Sequence, residues 1–266
     1  MTRKMLFSNP AGITGIVLLA VSALVFVYNP FFAAAIALFY ILICVSACFF
    51  PQTNFLLPVI SRGQTGKNMV ALTFDDGPAE PTTRQILDLL DNYSVKATFF
   101  VSGVNALRYP EIMKDIVSRG HSIGNHSLSH DPFLMLTSFK NLYHEVSAAQ
   151  DILRKMGINT KAFRPPVGIV NPKLSSILDA LDMFCVTFSC RALDAGNLYV
   201  KDIASKIMKK VKADDIILLH DVPTRRKEDS ALLLREIERL LTGLIAKGLR
   251  IVPLADLINK EVMSNS

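Results

Sequence analysis

The first 60 residues contain no aspartate or glutamate, and Arg3 and Lys4 are their only charges. So little charge excludes the surface of an ordinary soluble domain. Ala11 to Tyr28 is 18 residues without a charge, Asn29-Pro30 interrupts, and Phe31 to Phe50 adds 20 more. As one helix this stretch would run about 60 Å, twice the apolar bilayer core of about 30 Å. It therefore folds back, with Asn-Pro as the turn, and two transmembrane helices (about 11–28 and 31–50) are expected as a tight hairpin. A signal peptide cleaved near Ala33-Ala34-Ala35 is disfavoured, because an apolar region of about 7–15 residues would already have ended. A re-entrant hairpin in one leaflet is the other alternative. Both ends of a hairpin lie on one side. Arg3, Lys4, Arg62 and Lys67 flank it and its turn is uncharged, so the positive-inside rule expects a two-pass protein of a bacterial-type inner (plasma) membrane with the remaining chain in the cytoplasm.

Cysteine is scarce too. Cys44 and Cys48 share the second apolar run, and Cys185 and Cys190 flank a predicted strand. If extended, that strand separates the latter pair by about 16 Å, beyond disulfide reach. No structural disulfide is expected, in keeping with a reducing compartment. Dense basic runs are also missing. All but two of the 29 lysines and arginines, and all 23 acidic residues, lie beyond residue 60, a net of +4 there. Lys209-Lys210 and Arg225-Arg226-Lys227 read as solvated faces, and there is no aromatic stacking pattern, so no nucleic acid partner is expected. The mild surplus suits membrane lipid or a phosphorylated lipid carrier. No internal repeat or low-complexity tract occurs.

Residues 51–68, with Pro51, Pro58, Gly63 and Gly66, read as a linker, and 69–266 as one domain. Short apolar runs then alternate with amphipathic ones. Strands are predicted at Met69–Phe74, Lys96–Val101, His121–Asn125, Ala162–Arg164, Phe184–Ser189, Ile216–His220 and Arg250–Val252. Helix ends are marked by Pro110 and Gly120, Ser138 and Gly157, Asn171-Pro172, and Asp229 and Gly248. Seven strand–helix alternations argue an α/β fold with parallel strands.

Against that frame stand Thr73-Phe-Asp75-Asp76-Gly77-Pro78 and His126-Ser-Leu-Ser-His130. Two histidines four apart share one face of a helical turn. Two His and one carboxylate leave open positions on a divalent metal, and a catalytic metal needs one for water. The other carboxylate is then free to act as a base. Arg164-Pro-Pro166-Val-Gly168, Arg191-Ala-Leu-Asp194 and Leu218-Leu219-His220-Asp221 follow. Taken singly, an Asp-Asp pair is a common cap, His-x-x-x-His is more often surface than ligand, and Pro-Pro is a rigid turn.

Five such segments in this order resemble the motif series of the polysaccharide deacetylase family, the NodB-homology or carbohydrate esterase 4 group, from about Met69 to Pro253. The resemblance implies a distorted (β/α)7 barrel of NodB-homology type, with its site at the strand C-terminal ends. It implies that Asp76, His126 and His130 hold a divalent metal, Zn2+ first and Co2+, Ni2+ or Mn2+ as alternatives, and that Asp75 is the base that takes a proton from water. It implies that His220 is the acid for the leaving amine, that Arg164 tethers the base, and that Asp194 orients either His220 or Arg164. Gly77, Pro166 and Leu219 fall where substrate or the oxyanion is held, with Val167 beside them, and a structural role is expected for Asp221. Many relatives carry a Trp near the fourth motif. This chain has none, and Phe188 stands in its place.

The activity implied is hydrolysis of the acetamide of an N-acetylated amino sugar by a membrane-anchored N-deacetylase. With a cytoplasmic domain, polymers are out of reach and a lipid-linked glycan precursor or glycolipid is the expected substrate. The alternative is an extracytoplasmic deacetylase of peptidoglycan or exopolysaccharide, with inverted topology. An inactive binding protein on the same fold is disfavoured by the intact residue set. A non-haem iron oxygenase is disfavoured because those sites usually place the carboxylate close after the first His.

Overall fold

The computed structural model describes residues 10–265. Two apolar helices come first, Pro10–Phe26 and Pro30–Phe49. Asn29 caps the second, its side chain accepting from the amides of Phe31 and Phe32. The helices pack against each other, with Ser22 donating to the Ala33 carbonyl and Tyr40 to the Ala11 carbonyl. Pro30–Phe49 is long and apolar enough to cross a membrane; Pro10–Phe26 is apolar but shorter. Arg3 and Lys4 lie outside the described residues.

All seven expected strands are present, and four more join them. In chain order the strands are β1 Val59–Ile60, β2 Met69–Asp75, β3 Thr98–Val101, β4 Ser122–Asn125, β5 Ile158–Thr160, β6 Ala162–Phe163, β7 Phe184–Val186, β8 Cys190–Arg191, β9 Ile216–His220, β10 Arg250–Ile251 and β11 Met263–Asn265. The main sheet is parallel in the order β1-β7-β6-β4-β3-β2-β9-β8, with β10 beside the start of β2. It curls into a half-barrel, the form that the distortion of the expected (β/α)7 barrel takes here. No ladder joins β1 to β8 or β9; one bridge, Arg62 with Asp215, and the Gly63 amide on the Asp214 carbonyl draw those edges together. The expected linker thus supplies a strand and this seam, because Val59 and Ile60 find unpaired partners on the outer edge of β7.

Alternation along each strand decides what faces the site. From β2, Val70, Leu72 and Phe74 join Ile217 and Leu219 of β9 in the core under the helices. Ala71 packs inside the curl with Phe100, Ala162, Val186 and Ile216. Thr73, Asp75, Leu218 and His220 share that inner side, so the inner row becomes polar where the strands end. Helix Phe139–Lys155 starts on a Ser138 cap and helix Pro172–Ala180 on an Asn171 cap, as expected. Gly124 is required where β4 crosses β3, since a Cβ there would lie 2.4 Å from the Phe100 ring.

Candidate active site

The C-terminal ends of β2, β4 and β9 and the loops after them enclose a cleft of about 420 Å³. Asp75, Asp76, His126, His130, Asp194 and His220 all line it. His126 and His130 do not share a helical turn, as their spacing suggested. They belong to an irregular loop after β4, in which Ser127 (φ 66°) and His130 (φ 57°) are left-handed. The Ser127 amide donates to Asn125 and its hydroxyl accepts from the His130 amide, which folds the loop so that both rings face Asp76.

The donor atoms of Asp76, His126 and His130 lie within 4.8 Å of one another. Asp76 Oδ1 is 3.3 Å from His126 Nε2 and 3.0 Å from His130 Nε2. His126 Nδ1 is 2.7 Å from the Arg164 carbonyl. A carbonyl only accepts, so Nδ1 carries the proton and Nε2 is left with its lone pair toward the cluster, the usual arrangement of a metal-bound histidine. One carboxylate and two imidazoles so arranged suit a divalent metal. Burial raises the Asp76 pKa, but the two histidines outweigh it and hold the carboxyl well below its ordinary range. Burial lowers that of His126, and Asp75 and Asp76 more than reverse it.

Asp75 is held differently. Its Oδ1 accepts from Arg164 Nη1 at 2.6 Å, while Oδ2 lies 3.7 Å from His126 Nε2. Arg164 is fully buried, donates also to Thr73 Oγ1 and the Thr187 carbonyl, and lies 3.9 Å over the Phe100 ring. Burial lowers the arginine's pKa and Asp75 opposes it; a buried pair of this kind fixes geometry more surely than it adds stability. Across the cleft, His220 Nδ1 is 2.7 Å from Asp194 Oδ2, and its Nε2 lies 4.0 Å from Asp76 Oδ2. Burial pulls the His220 pKa down, but Asp194 above all, with Asp76 and Asp75, lifts it to about 9. Of the two partners expected for Asp194, the structure pairs it with His220.

The remaining expected positions fall elsewhere. The Gly77 amide is committed to Asp221 Oδ1 at 3.0 Å and has no proton left for an oxyanion. A Cβ at Gly77 would sit 2.0 Å from Asp221 Oδ2, so only glycine fits. Pro166 is buried and does not line the cleft. Leu219 packs under the helices; its neighbour Leu218 faces the cleft, as strand alternation requires. Val167 does line the cleft, as does Phe188. Its φ of 53° is unusual for a β-branched residue and marks a constrained turn.

Asp221 takes the structural role expected of it, and two further supporting residues, Asn105 and Asn197, had no legible signal. Asp221 is fully buried, binds Thr83 Oγ1 and the Gly77 amide, and burial raises its pKa to about 7. Asn105 Nδ2 holds the Asp76 carbonyl at 2.8 Å, and Asn197 Nδ2 bridges the carbonyls of His220 and Val222. Both asparagines bind main chain far away in sequence, which no local pattern records.

A family model described as polysaccharide deacetylase matches residues 62–186. A peptidoglycan-N-acetylglucosamine deacetylase of Bacillus cereus is 31% identical over 194 residues, covering 72% of this chain and 89% of that protein. Peptidoglycan-N-acetylmuramic acid deacetylase PdaC of Bacillus subtilis is 33% identical over 202 residues, 76% of this chain and 41% of PdaC. Among solved structures, the Bc1960 peptidoglycan N-acetylglucosamine deacetylase superposes with a TM-score of 0.69 at 29% identity, covering 77% of this chain and 94% of that one. BA3943 of Bacillus anthracis, a CE4 family pseudoenzyme, gives a TM-score of 0.67 at 23% identity over 77% of this chain and 70% of that one, a likeness of fold alone.

The likeness to PdaC overturns the cytoplasmic placement. PdaC is by name a peptidoglycan deacetylase, and peptidoglycan lies outside the membrane. The charge argument for the cytoplasm was also slender: Arg62, one of its four cations, is ion-paired with Asp215 at 2.7 Å and belongs to the fold.

Proposed function

Because this chain belongs to the polysaccharide deacetylase family, we propose that it is a metal-dependent N-deacetylase acting on N-acetylated amino sugars of peptidoglycan. The observation that carries this reading is the meeting, in one cleft, of the Asp76–His126–His130 cluster with a buried carboxylate on one flank and a histidine on the other. When bound there, a divalent ion, for which we favour zinc, supplies Lewis acidity that polarises the acetamide carbonyl and makes water acidic.

The chain's own groups do the rest. Asp75, held by Arg164 at Oδ1, presents Oδ2 to accept the proton of the attacking water. His220, protonated through its contact with Asp194, donates from Nε2 to the departing amine nitrogen. Water and acetamide thus become acetate and a free amino sugar. Phe188 and Leu218 supply apolar cleft wall against which the acetyl methyl and sugar face rest.

The helical hairpin is read as a membrane anchor, its 20-residue second helix matching a bilayer core of about 30 Å. Residues 1–50 would form the anchor, 51–68 a docked connection and 69–266 the catalytic domain, on the side of the membrane where peptidoglycan lies. The purified full chain in detergent should release acetate from peptidoglycan glycan strands, lose that activity to a chelator and regain it with a divalent ion. Robust acetate release from fully metal-depleted protein would overturn the metal mechanism. Glycan binding without any acetate release would favour the inactive binding protein.

A further inference from the structure

The catalytic cleft does not end at the metal cluster. Val167, Gly168, Phe188 and Arg191 form a wall it shares with a second groove of about 670 Å³. The groove runs from that wall to Phe49 and Phe50 at the foot of the hairpin, past Gln52, Ser61 and Arg62. It is a fixed feature, because the hairpin is docked onto the catalytic domain. The Val170 amide donates to the Cys48 carbonyl at 3.1 Å and the Ala11 amide to the Phe55 carbonyl at 3.1 Å. Ala11 and Ala47 join one apolar cluster with Leu56, Leu57, Phe163 and Val170.

Among the described residues no carboxylate lines this groove. Its two cations are not equivalent. Arg62 is neutralised by Asp215. Arg191 has no ion pair among the described residues; it is exposed, and its guanidinium lies 5.1 Å over the Phe188 ring. Phe188 also meets the buried Arg164, at 5.9 Å. Arg191 is therefore a charge in search of an anion, braced on an aromatic face, one wall away from the reacting acetamide. A fork-shaped donor in that setting suits a carboxylate. Gln52 and Ser61 add neutral hydrogen-bonding groups beyond it.

We propose that this groove is a subsite for the carboxylate of the sugar next to the one deacetylated, with Arg191 as its recognition residue. The proposal rests on the deacetylase reading of the cleft and narrows its substrate class: glycans carrying a free carboxylate beside the N-acetylated sugar, such as strands whose N-acetylmuramic acid bears no peptide. A neutral chito-oligosaccharide would fill the cleft and leave Arg191 unanswered.

The test uses the full chain in neutral detergent and two tetrasaccharides of alternating N-acetylglucosamine and N-acetylmuramic acid, one with free carboxylates and one with the same carboxylates amidated. For the unaltered protein we expect kcat/KM to favour the free acid by roughly fivefold, the range of an ion pair between exposed and desolvated. The difference should lie in KM and fall with added salt. Arg191→Gln should erase the ratio and Arg191→Lys keep part of it. No preference, or one that survives Arg191→Gln, overturns the subsite. So does a dependence on Arg191 seen only with vesicles of anionic phospholipid, which would make the groove a lipid contact. Calorimetric titration with both glycans separates the two readings. Charge-selective, Arg191-dependent binding without acetate release would support the subsite while removing the deacetylase assignment.

Discussion

Replacing Asp194 by Asn should move the basic limb of the pH–rate profile. The structure gives His220 two kinds of neighbour: burial, which favours the neutral ring, and carboxylates, which favour the imidazolium. Asp194 is the strongest of the latter, 2.7 Å from Nδ1, and the balance raises His220 from 6.5 to about 9. A raised pKa stabilises the folded state fully below about 6.5 and loses that contribution as pH climbs through about 9. In metal-free protein the linkage amounts to at most roughly 3 kcal/mol. A bound cation would neutralise Asp76 and lower the limb in the loaded enzyme, but it leaves the Asp194 contact in place. Asn keeps a carbonyl to accept from Nδ1 and removes the charge, so a fall of about 1–3 pH units is expected, the usual effect of one close opposite charge. Initial rates of acetate release between pH 5.5 and about 10 would read it: Asp194→Asn should lose much more activity at pH 8.5 than at 6. A limb that stays put, with activity lowered equally at every pH, would refute His220 as the proton donor held charged by Asp194.

His126→Ala should remove stoichiometric metal together with activity, measured by elemental analysis of the purified protein; full metal occupancy would dismiss His126 as a ligand. Asp75→Asn should retain metal yet lose turnover by about 10²–10⁴-fold, and near-normal acetate release would end its assignment as base. His121, buried with Nδ1 accepting the Ala97 amide, is depressed by burial to about 4. Its stabilisation is complete above about 6.5 and is lost as pH falls through 4, so His121→Gln should flatten the acid decline of the melting temperature in detergent. Deleting residues 1–50 strips Ala11, Ala47 and the Cys48 carbonyl from the domain and should lower the melting temperature by roughly 5 °C; an unchanged value would make the hairpin a simple tether.

The regular elements were legible because they obey local rules. Strands β2, β3, β6 and β9 are short, largely apolar runs buried on both faces, and Ser138 and Asn171 cap their helices through their own side chains. The residues gathered in the cleft were legible through motif order. Their local geometry was not. His126 and His130 suggested a helix because spacing alone cannot reveal left-handed residues between them. Leu219 was chosen over Leu218 by adjacency to His220, although alternation along β9 already assigns odd and even residues to opposite faces. Val59–Ile60 was hidden because a two-residue strand carries no periodicity and exists only through its partner, β7. The open curl of the sheet depends on which edges meet, which composition does not encode.

The adjacency of Asp75 and Asp76 poses a geometric problem that the fold solves at one residue. Consecutive strand residues point to opposite faces, so two carboxylates in a row should not serve one cleft. Asp75 keeps strand geometry, paired with Phe100 and His220, and faces inward by alternation. Asp76 leaves it: its φ of 77° turns the chain, a conformation that aspartate tolerates better than most side chains. The turn is held from both sides, by Asn105 on the Asp76 carbonyl and by Asp221 on the Gly77 amide. Both carboxylates then reach the cleft from different directions, one tied to a buried arginine and the other to two histidines. The sharp turn after β2 is thus the step that divides base from ligand, and Gly77 is fixed as glycine by Asp221 rather than by any contact with substrate.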